Sequence, residues 1–255
     1  MRIIISPAKR MRTDPDGLAP ISTPVFIDDV RRLLTVLRGM DFDSLKQLLG
    51  CNDDLVRRSQ LEYQTMDLDR AGTPALIAYD GIQYQYMAPQ VFEQHWLDYV
   101  QAHLRILSGL YGVLRPLDAV APYRLEMQAR LSIDGYRNLY QFWGGRLARE
   151  TIGTDGVLLN LASEEYARAV RPHRPKGIRW IDCLFGEMKH GRFREKGVYV
   201  KMARGEAVRF LAENAVDQPD DLRAFNRLGF SWSAELSDSD RFVFLMNKNS
   251  AQSDF

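Results

Sequence analysis

A chain of 255 residues, 45% of them hydrophobic, is long enough to bury a substantial core without metals or disulfides. No apolar run reaches membrane-spanning length, and Ile3, Ile4 and Ile5 are too few for a signal-peptide core, which excludes membrane-spanning and secreted classes. The net charge of +1 hides a polarised distribution: residues 168–209 carry twelve Lys/Arg against four Asp/Glu, and residues 211–255 carry four against eight.

In chain order, Ile3 to Ile5 reads as a short buried strand ended by Ser6-Pro7. Leu33, Leu34, Val36 and Leu37 mark a first amphipathic helix up to Gly39, and two shorter helices are expected over 43–49 and 53–63. Pro74 opens an apolar run, 75–79, read as a second buried strand closed by Asp80-Gly81. Leu104, Leu107, Tyr111 and Leu114 recur at helical spacing, so residues 101–118 predict a helix, a tight corner at Gly109 and Gly112, and a turn at Arg115-Pro116. From Pro122 the period becomes two: Tyr123, Leu125, Met127, Ala129 and Leu131 alternate with Arg124, Glu126, Gln128 and Arg130, as in a half-buried strand. Further strands are expected at 157–161, 179–185, 198–202 and 241–246, with helices at 139–151, 163–170 and 204–215. Residues 186–197 read as a hairpin connection. The expected fold is therefore α/β, a single domain over 1–255 with a mixed central sheet flanked by helices.

Several constellations carry chemistry. Residues 43–58 place two short helices about the turn Leu49-Gly50-Cys51-Asn52, which is either an ordinary αα corner or a helix-hairpin-helix-like element exposing backbone N–H groups to a phosphate. Asp53 and Asp54 would repel a phosphate there. Lys201 and Arg204 sit where a strand is expected to run into a helix and have no obvious sequence partner, whereas Arg209 has Glu206 and Glu213 at helical spacing. Ser6 with Lys9, and Ser163 with Glu164 and Glu165, both follow apolar strands, where open α/β sheets gather their ligands. Ser163 also reads as a plain helix N-cap. Arg124 and Glu126 read either as a same-face ion pair on an exposed strand or as part of a site. The four histidines form no metal-ligand spacing, neither cysteine (Cys51, Cys183) has a resolving partner nearby, and no Gly-rich phosphate loop or GxGxxG is present, so no metal and no cofactor is expected.

The stretch His103-Leu104-Arg105, Leu107 to Gly112, Leu114 to Asp118 and Pro122 to Met127 resembles the signature of the YaaA family of bacterial peroxide stress response proteins. Matching pieces follow along the chain: Ile5 to Lys9, Leu139 to Gly144, Asn160 to Ser163 with Glu165-Tyr166, and Lys201 with Ala203-Arg204-Gly205. Two positions depart from the pattern, Ile82 standing where relatives carry an acid and Met202 where they often carry a lysine.

The resemblance implies a cytoplasmic protein that binds DNA through a positively charged cleft and protects it from iron-driven damage during peroxide stress. On that reading Lys9, Arg105, Arg115, Arg124, Lys201 and Arg204 neutralise phosphates, and Tyr123 or Tyr140 stacks an unpaired base. The turn at Leu49, Gly50, Cys51 and Asn52 supplies the hairpin. The partner is double-stranded or distorted DNA, with no membrane, and the chain is taken as a monomer. An alternative is an enzyme acting on a small anionic or nucleotide substrate in the same pocket, with Glu126 as the candidate acid or base. A third is an interaction protein that uses its acidic C-terminal end.

Overall fold

The computed structural model describes residues 1–14, 16–70 and 72–247. Of the acidic C-terminal end considered as a partner surface, residues 248–255 lie outside the described residues.

The chain opens with β1 (Arg2–Ile5) and a two-residue strand β2 (Arg10–Met11). Helix α1 (Ile27–Arg38) follows, its apolar side buried through Val30, Leu33, Leu34 and Leu37. Next comes a helical pair, α2 (Phe42–Leu49) and α3 (Asp53–Thr65), each started by a capping side chain: Asp41 accepts from the Ser44 N–H and Asn52 from the Leu55 N–H. Then β3 (Thr73–Pro74), a one-turn helix α4 (Ala75–Ala78), β4 (Tyr79–Asp80) and α5 (Ile82–Met87) lead into α6 (Gln94–His103). Strands β5 (Leu104–Ser108), β6 (Gly112–Leu114) and β7 (Ala119–Val120) precede short helices α7 (Leu139–Trp143) and α8 (Arg146–Thr151). The last third runs β8 (Val157–Asn160), α9 (Glu164–Ala167), β9 (Arg179–Lys189), β10 (Arg192–Arg194), α10 (Gly197–Glu213), β11 (Phe230–Trp232) and β12 (Arg241–Met246).

The central sheet has the order β11-β12-β9-β8-β1-β5-β6, with β10 paired to β9. Neighbours from β12 to β5 are parallel, while β6 and β11 pair antiparallel at the edges, so the sheet is mixed as expected. The inner strands are apolar on both faces because helices cover both: Ile3, Ile4 and Ile5 are fully buried, and all five residues of β5 are buried. From β1 the chain crosses to β5 on one side, and from β8 to β9 on the other. The strand order therefore reverses between β1 and β8, and the crevice beyond their carboxyl ends is where this architecture holds a ligand.

Three sequence expectations are corrected. Leu104 and Leu107 belong to a strand, not to a helix face: helix α6 ends at His103 and β5 begins at the next residue. A strand buried on both faces has no period of two to betray it, so the accidental three-four spacing reads as helix. Of the strand expected over residues 75–79, Ala75 to Ala78 form a buried helical turn between two short ladders and only Tyr79 is in a strand, β4. Residues 198–202, expected as a strand, are the first turns of α10, where tertiary packing overrides the β-branched composition. By contrast, residues 123–131 keep their alternation of burial but pair with no strand: the chain is irregular to Glu126, and a turn follows in which the Ala129 N–H donates to the Glu126 carbonyl.

Candidate functional site

The site begins at the crevice between β1 and β8. The Ser163 N–H donates to Ser6 Oγ at 2.8 Å, and the Ser6 hydroxyl donates back to Ser163 Oγ at 3.1 Å. These bonds tie the two strand ends together. Tyr84 donates to the Ser6 carbonyl at 3.0 Å, and Asn160 shapes the other lip by accepting from the Ala162 N–H at 3.0 Å. Ser163 occupies the N-cap position of α9 but its side chain makes no capping bond, so its hydroxyl serves the crevice and not the helix.

The segment 122–127 forms a second wall, and the glycine of the β5–β6 corner explains why it lies there. A Cβ on Gly109 would stand 2.3 Å from the Leu125 carbonyl oxygen, so only glycine lets the backbones meet. The Gly109 carbonyl also accepts from the Trp143 indole at 3.0 Å. Beneath the wall, the Tyr123 hydroxyl shares hydrogen bonds with Tyr79 (2.9 Å) and Ser108 (2.6 Å), and the Tyr63 hydroxyl donates to the Arg124 carbonyl. With the apolar side fixed inward, Arg124 and Glu126 face the cleft. Glu126 Oε1 lies 2.8 Å from Lys9 Nζ and 3.5 Å from the Arg124 guanidinium, and Gln128 donates to its other oxygen at 3.3 Å.

Helix α10 supplies the third wall. Lys201 and Arg204, three residues apart, share one helix face. Lys201 is exposed, while Arg204 is largely buried, 3.9 Å from Glu195, and its buried Nε has no hydrogen-bond partner among the described residues. The helix comes close because Gly205 packs on α5: a Cβ there would meet the Gln83 carbonyl oxygen at 2.1 Å.

Two cavities result. The smaller, about 440 Å³, lies over the crevice and is lined by Ser6, Lys9, Ile82, Tyr84, Tyr123, Arg124, Glu126, Ser163, Glu165, Tyr166, Lys201 and Arg204, among others. The larger, about 800 Å³, shares Lys9, Arg124 and Glu126 with it and runs past Arg130 to Leu49 and Gly50. Their linings hold six cations (Lys9, Arg10, Arg124, Arg130, Lys201, Arg204) against Asp80, Glu126 and Glu165. Burial holds the Glu165 carboxyl above its ordinary range, and the nearby Glu126 charge adds to the effect. Burial likewise pulls Arg204 below the ordinary guanidinium range.

At the far end of the larger cavity, α2 and α3 form a helical hairpin. Gly50 takes the left-handed conformation (φ 56°) that closes α2, and Asn52 starts α3. The Leu55 N–H is already used by Asn52, and Lys46 pairs with Asp53 at 2.7 Å across the turn. Leu49 and Gly50 line the cavity, and Cys51 is half-buried beside them.

Of the predicted residues, Lys9, Arg124, Glu126, Lys201 and Arg204 come together. Arg105 and Arg115 do not. They line a separate cavity with Arg2. Arg105 is buried, spends its guanidinium on the Gln101 and Leu104 carbonyls, and is brought down to about 10 by burial. Arg115 is paired with Asp118 at 3.2 Å. Tyr123 is 5% exposed, with its hydroxyl committed inward, so it is a wall and not a stacking platform. Tyr140 donates to the Glu165 carbonyl and has the Arg168 guanidinium over its ring at 5.2 Å. Sequence reasoning misses Arg130 and, beyond its place in the first turn of α9, the role of Glu165. The alternation from Tyr123 to Leu131 puts Arg130 on the same side as Arg124, whereas the hydrogen bond from the Gln128 N–H to the Glu165 carboxylate joins two segments distant in the chain, which no local pattern encodes. Among the described residues, no group of three His, Cys, Asp or Glu could hold a metal ion, and no helix is long and apolar enough to cross a membrane.

The chain matches a family described as "Peroxide stress protein YaaA" over residues 1–236. It is 51% identical over 245 residues to a UPF0246 protein of Desulfitobacterium hafniense, covering 96% of this chain and 98% of that one. A UPF0246 protein of Pediococcus pentosaceus is 44% identical over 248 residues (97% and 99%), and one of Agathobacter rectalis 44% over 244 residues (96% and 98%). The chain belongs to the YaaA (UPF0246) family of peroxide stress proteins.

Proposed function

We propose that the composite cleft binds DNA and that this binding protects DNA during peroxide stress. One observation carries the reading: the two cavities share Lys9, Arg124 and Glu126, so a cation-rich surface continues from the strand ends to the turn of the α2–α3 hairpin. Cations spaced along a groove track a phosphate backbone, and each neutralised phosphate releases bound counterions. Ferrous ions condensed on DNA are among those counterions, so occupancy of the backbone lowers the iron held where hydroxyl radicals do harm. The hairpin presents Gly50 to the groove, and the Lys46–Asp53 pair offsets the repulsion that Asp53 would exert on a phosphate.

The test is an equilibrium titration of a duplex and of a duplex with an unpaired bubble, at about 50 and about 200 mM salt. Affinity should fall by orders of magnitude between the two conditions, and Lys201→Glu with Arg130→Glu should weaken binding at both. Salt-independent affinity, or an affinity unchanged in the double variant, removes this function.

A second reading has its own observation. The smaller cavity has the size of a small-molecule site and holds a carboxyl, Glu165, kept above its ordinary range by burial. As an enzyme, the protein would use Glu165 as its acid or base in preference to Glu126, which is held between Lys9 and Arg124.

A further inference from the structure

At the end of the sheet opposite the cleft, three arginines converge. Arg2 opens β1 and Arg105 is the second residue of the parallel β5, so both stand at the amino ends of their strands, away from the crevice. Arg115 joins them because β6 runs antiparallel to β5 and ends at Leu114. The three line a cavity of about 580 Å³, within the range of small-molecule sites. Among the described residues, no carboxylate lies within ion-pair distance, 4.0 Å, of Arg2 or Arg105, and Arg115 has Asp118, which also accepts from Ser22. The described lining holds one acid, Asp98, whose carboxylate accepts from the Gln94 amide at 2.8 Å. Arg2 donates to the Ala102 carbonyl and Arg105 to those of Gln101 and Leu104, each through Nη1 alone. Their Nε and Nη2 make no hydrogen bond among the described residues, and none of these four nitrogens is enclosed, so a ligand can reach them. Arginines gathered without counterions also repel one another. Burial lowers the Arg105 guanidinium most, and the Arg2 and Arg115 charges lower it further, against the opposing pull of Asp118 and Glu150. Beside the cations the wall is apolar, formed by Leu18, Ile21, Leu97 and Leu117, with Ile21 68% exposed. We propose that this cavity is a second anion site, separate from the cleft, that takes a small phosphate monoester with an aromatic or aliphatic body. The phosphate balances charge that the fold leaves uncompensated, guanidinium N–H groups fit its oxygens, and the body covers Ile21 and its apolar neighbours. The assignment does not depend on the DNA reading.

Phenyl phosphate, benzoate and inorganic phosphate are each titrated into the full chain by calorimetry. Phenyl phosphate should bind about tenfold tighter than inorganic phosphate, which lacks the apolar body, and tighter than benzoate, which carries a single charge. Arg105→Gln should lower its affinity by about tenfold or more. Ile21→Glu sets a negative charge at an exposed rim position, so it tests the same site without the folding risk of a buried change. It should weaken phenyl phosphate to a similar extent and leave duplex affinity essentially as it was. Lys201→Glu with Arg130→Glu, in the cleft, should leave phenyl phosphate binding unchanged. Failure of phenyl phosphate to bind, benzoate binding as tightly, or an affinity that survives both Arg105→Gln and Ile21→Glu overturns the site. So does an affinity lost only in Lys201→Glu with Arg130→Glu, which places the anion in the cleft. Duplex affinity lost in Ile21→Glu would make this face part of a DNA surface and overturn the separate site as well.

Discussion

Glu126 and Glu165 show how environment assigns different roles to two acids in one cleft. Glu126 bridges an exposed lysine and a largely buried arginine, so its charge is the clamp that holds Lys9 and Arg124 in place. Glu126→Gln keeps the shape and removes that charge. The Lys9 pair contributes little because Lys9 is 65% exposed, so the expected cost is about 1 kcal/mol in chemical denaturation, borne mostly by Arg124. On the DNA reading affinity should then rise, because two cations lose their internal counterion. A fall in affinity with unchanged stability would instead make Glu126 a direct ligand contact. Glu165 behaves oppositely. Its folded carboxyl holds a proton more tightly than the unfolded chain does, so stability falls as pH rises from the ordinary carboxylate range through the raised value, and the penalty is complete above it. Glu165→Gln keeps an acceptor for the Gln128 N–H and removes the ionisation. The variant should be more stable than the parent at neutral pH and should converge with it near about pH 4. A gain of equal size at both pH values would show that burial of the charge is not its cause.

Among the elements, close backbone approach at two glycines builds the cleft. Gly205 lets α10 touch α5, and Gly109 lets the β5–β6 corner sit under Leu125. Because the opposing atoms are backbone, neither site can yield by rotating a side chain. Gly205→Ala should cost about 1–3 kcal/mol or more and should weaken ligand binding beyond what a smaller folded fraction explains, since Lys201 and Arg204 ride on the displaced helix. Wild-type stability in Gly205→Ala would show that the two helices have room to separate. In the sequence Gly109 reads only as a corner, and its real constraint, a partner sixteen residues downstream, leaves no local mark. The same limit governs what else is legible. Residues 123–131 read correctly as alternating because one side faces the core and the other the solvent, and the strand over Arg241–Met246 is legible with its full bounds. Residues 104–108 and 198–202 mislead because a doubly buried strand has no period and because helix α10 begins in residues, Val198, Tyr199 and Val200, that favour strands. Lys201 and Arg204 can still be picked out, since their lack of sequence partners holds whichever element carries them. Arg105 and Arg115 mislead because nearness in sequence to Arg124 is not nearness in space.

At the scale of the whole molecule, the polarised charge of the sequence becomes a surface that extends beyond the cleft. Strands β9 and β10 form an exposed antiparallel ribbon, Arg192 opposite Lys189 and Arg194 opposite Glu187. Among the described residues, no carboxylate lies within ion-pair distance, 4.0 Å, of Lys189, Arg192 or Arg194. The ribbon leads directly into the cleft, because Glu195, the next residue, is the acid 3.9 Å from Arg204. Cations left without partners on a projecting ribbon add to the same basic face, and only a ligand longer than the cleft reaches both. Arg192→Glu with Arg194→Glu therefore separates the two functional readings. If the ligand is DNA, affinity falls and the slope of log affinity against log salt flattens by about two units, one for each phosphate no longer neutralised. If the ligand is a small anion confined to the cavity over the β1–β8 crevice, the ribbon lies outside its reach and the double reversal leaves both its affinity and its salt dependence essentially as they were.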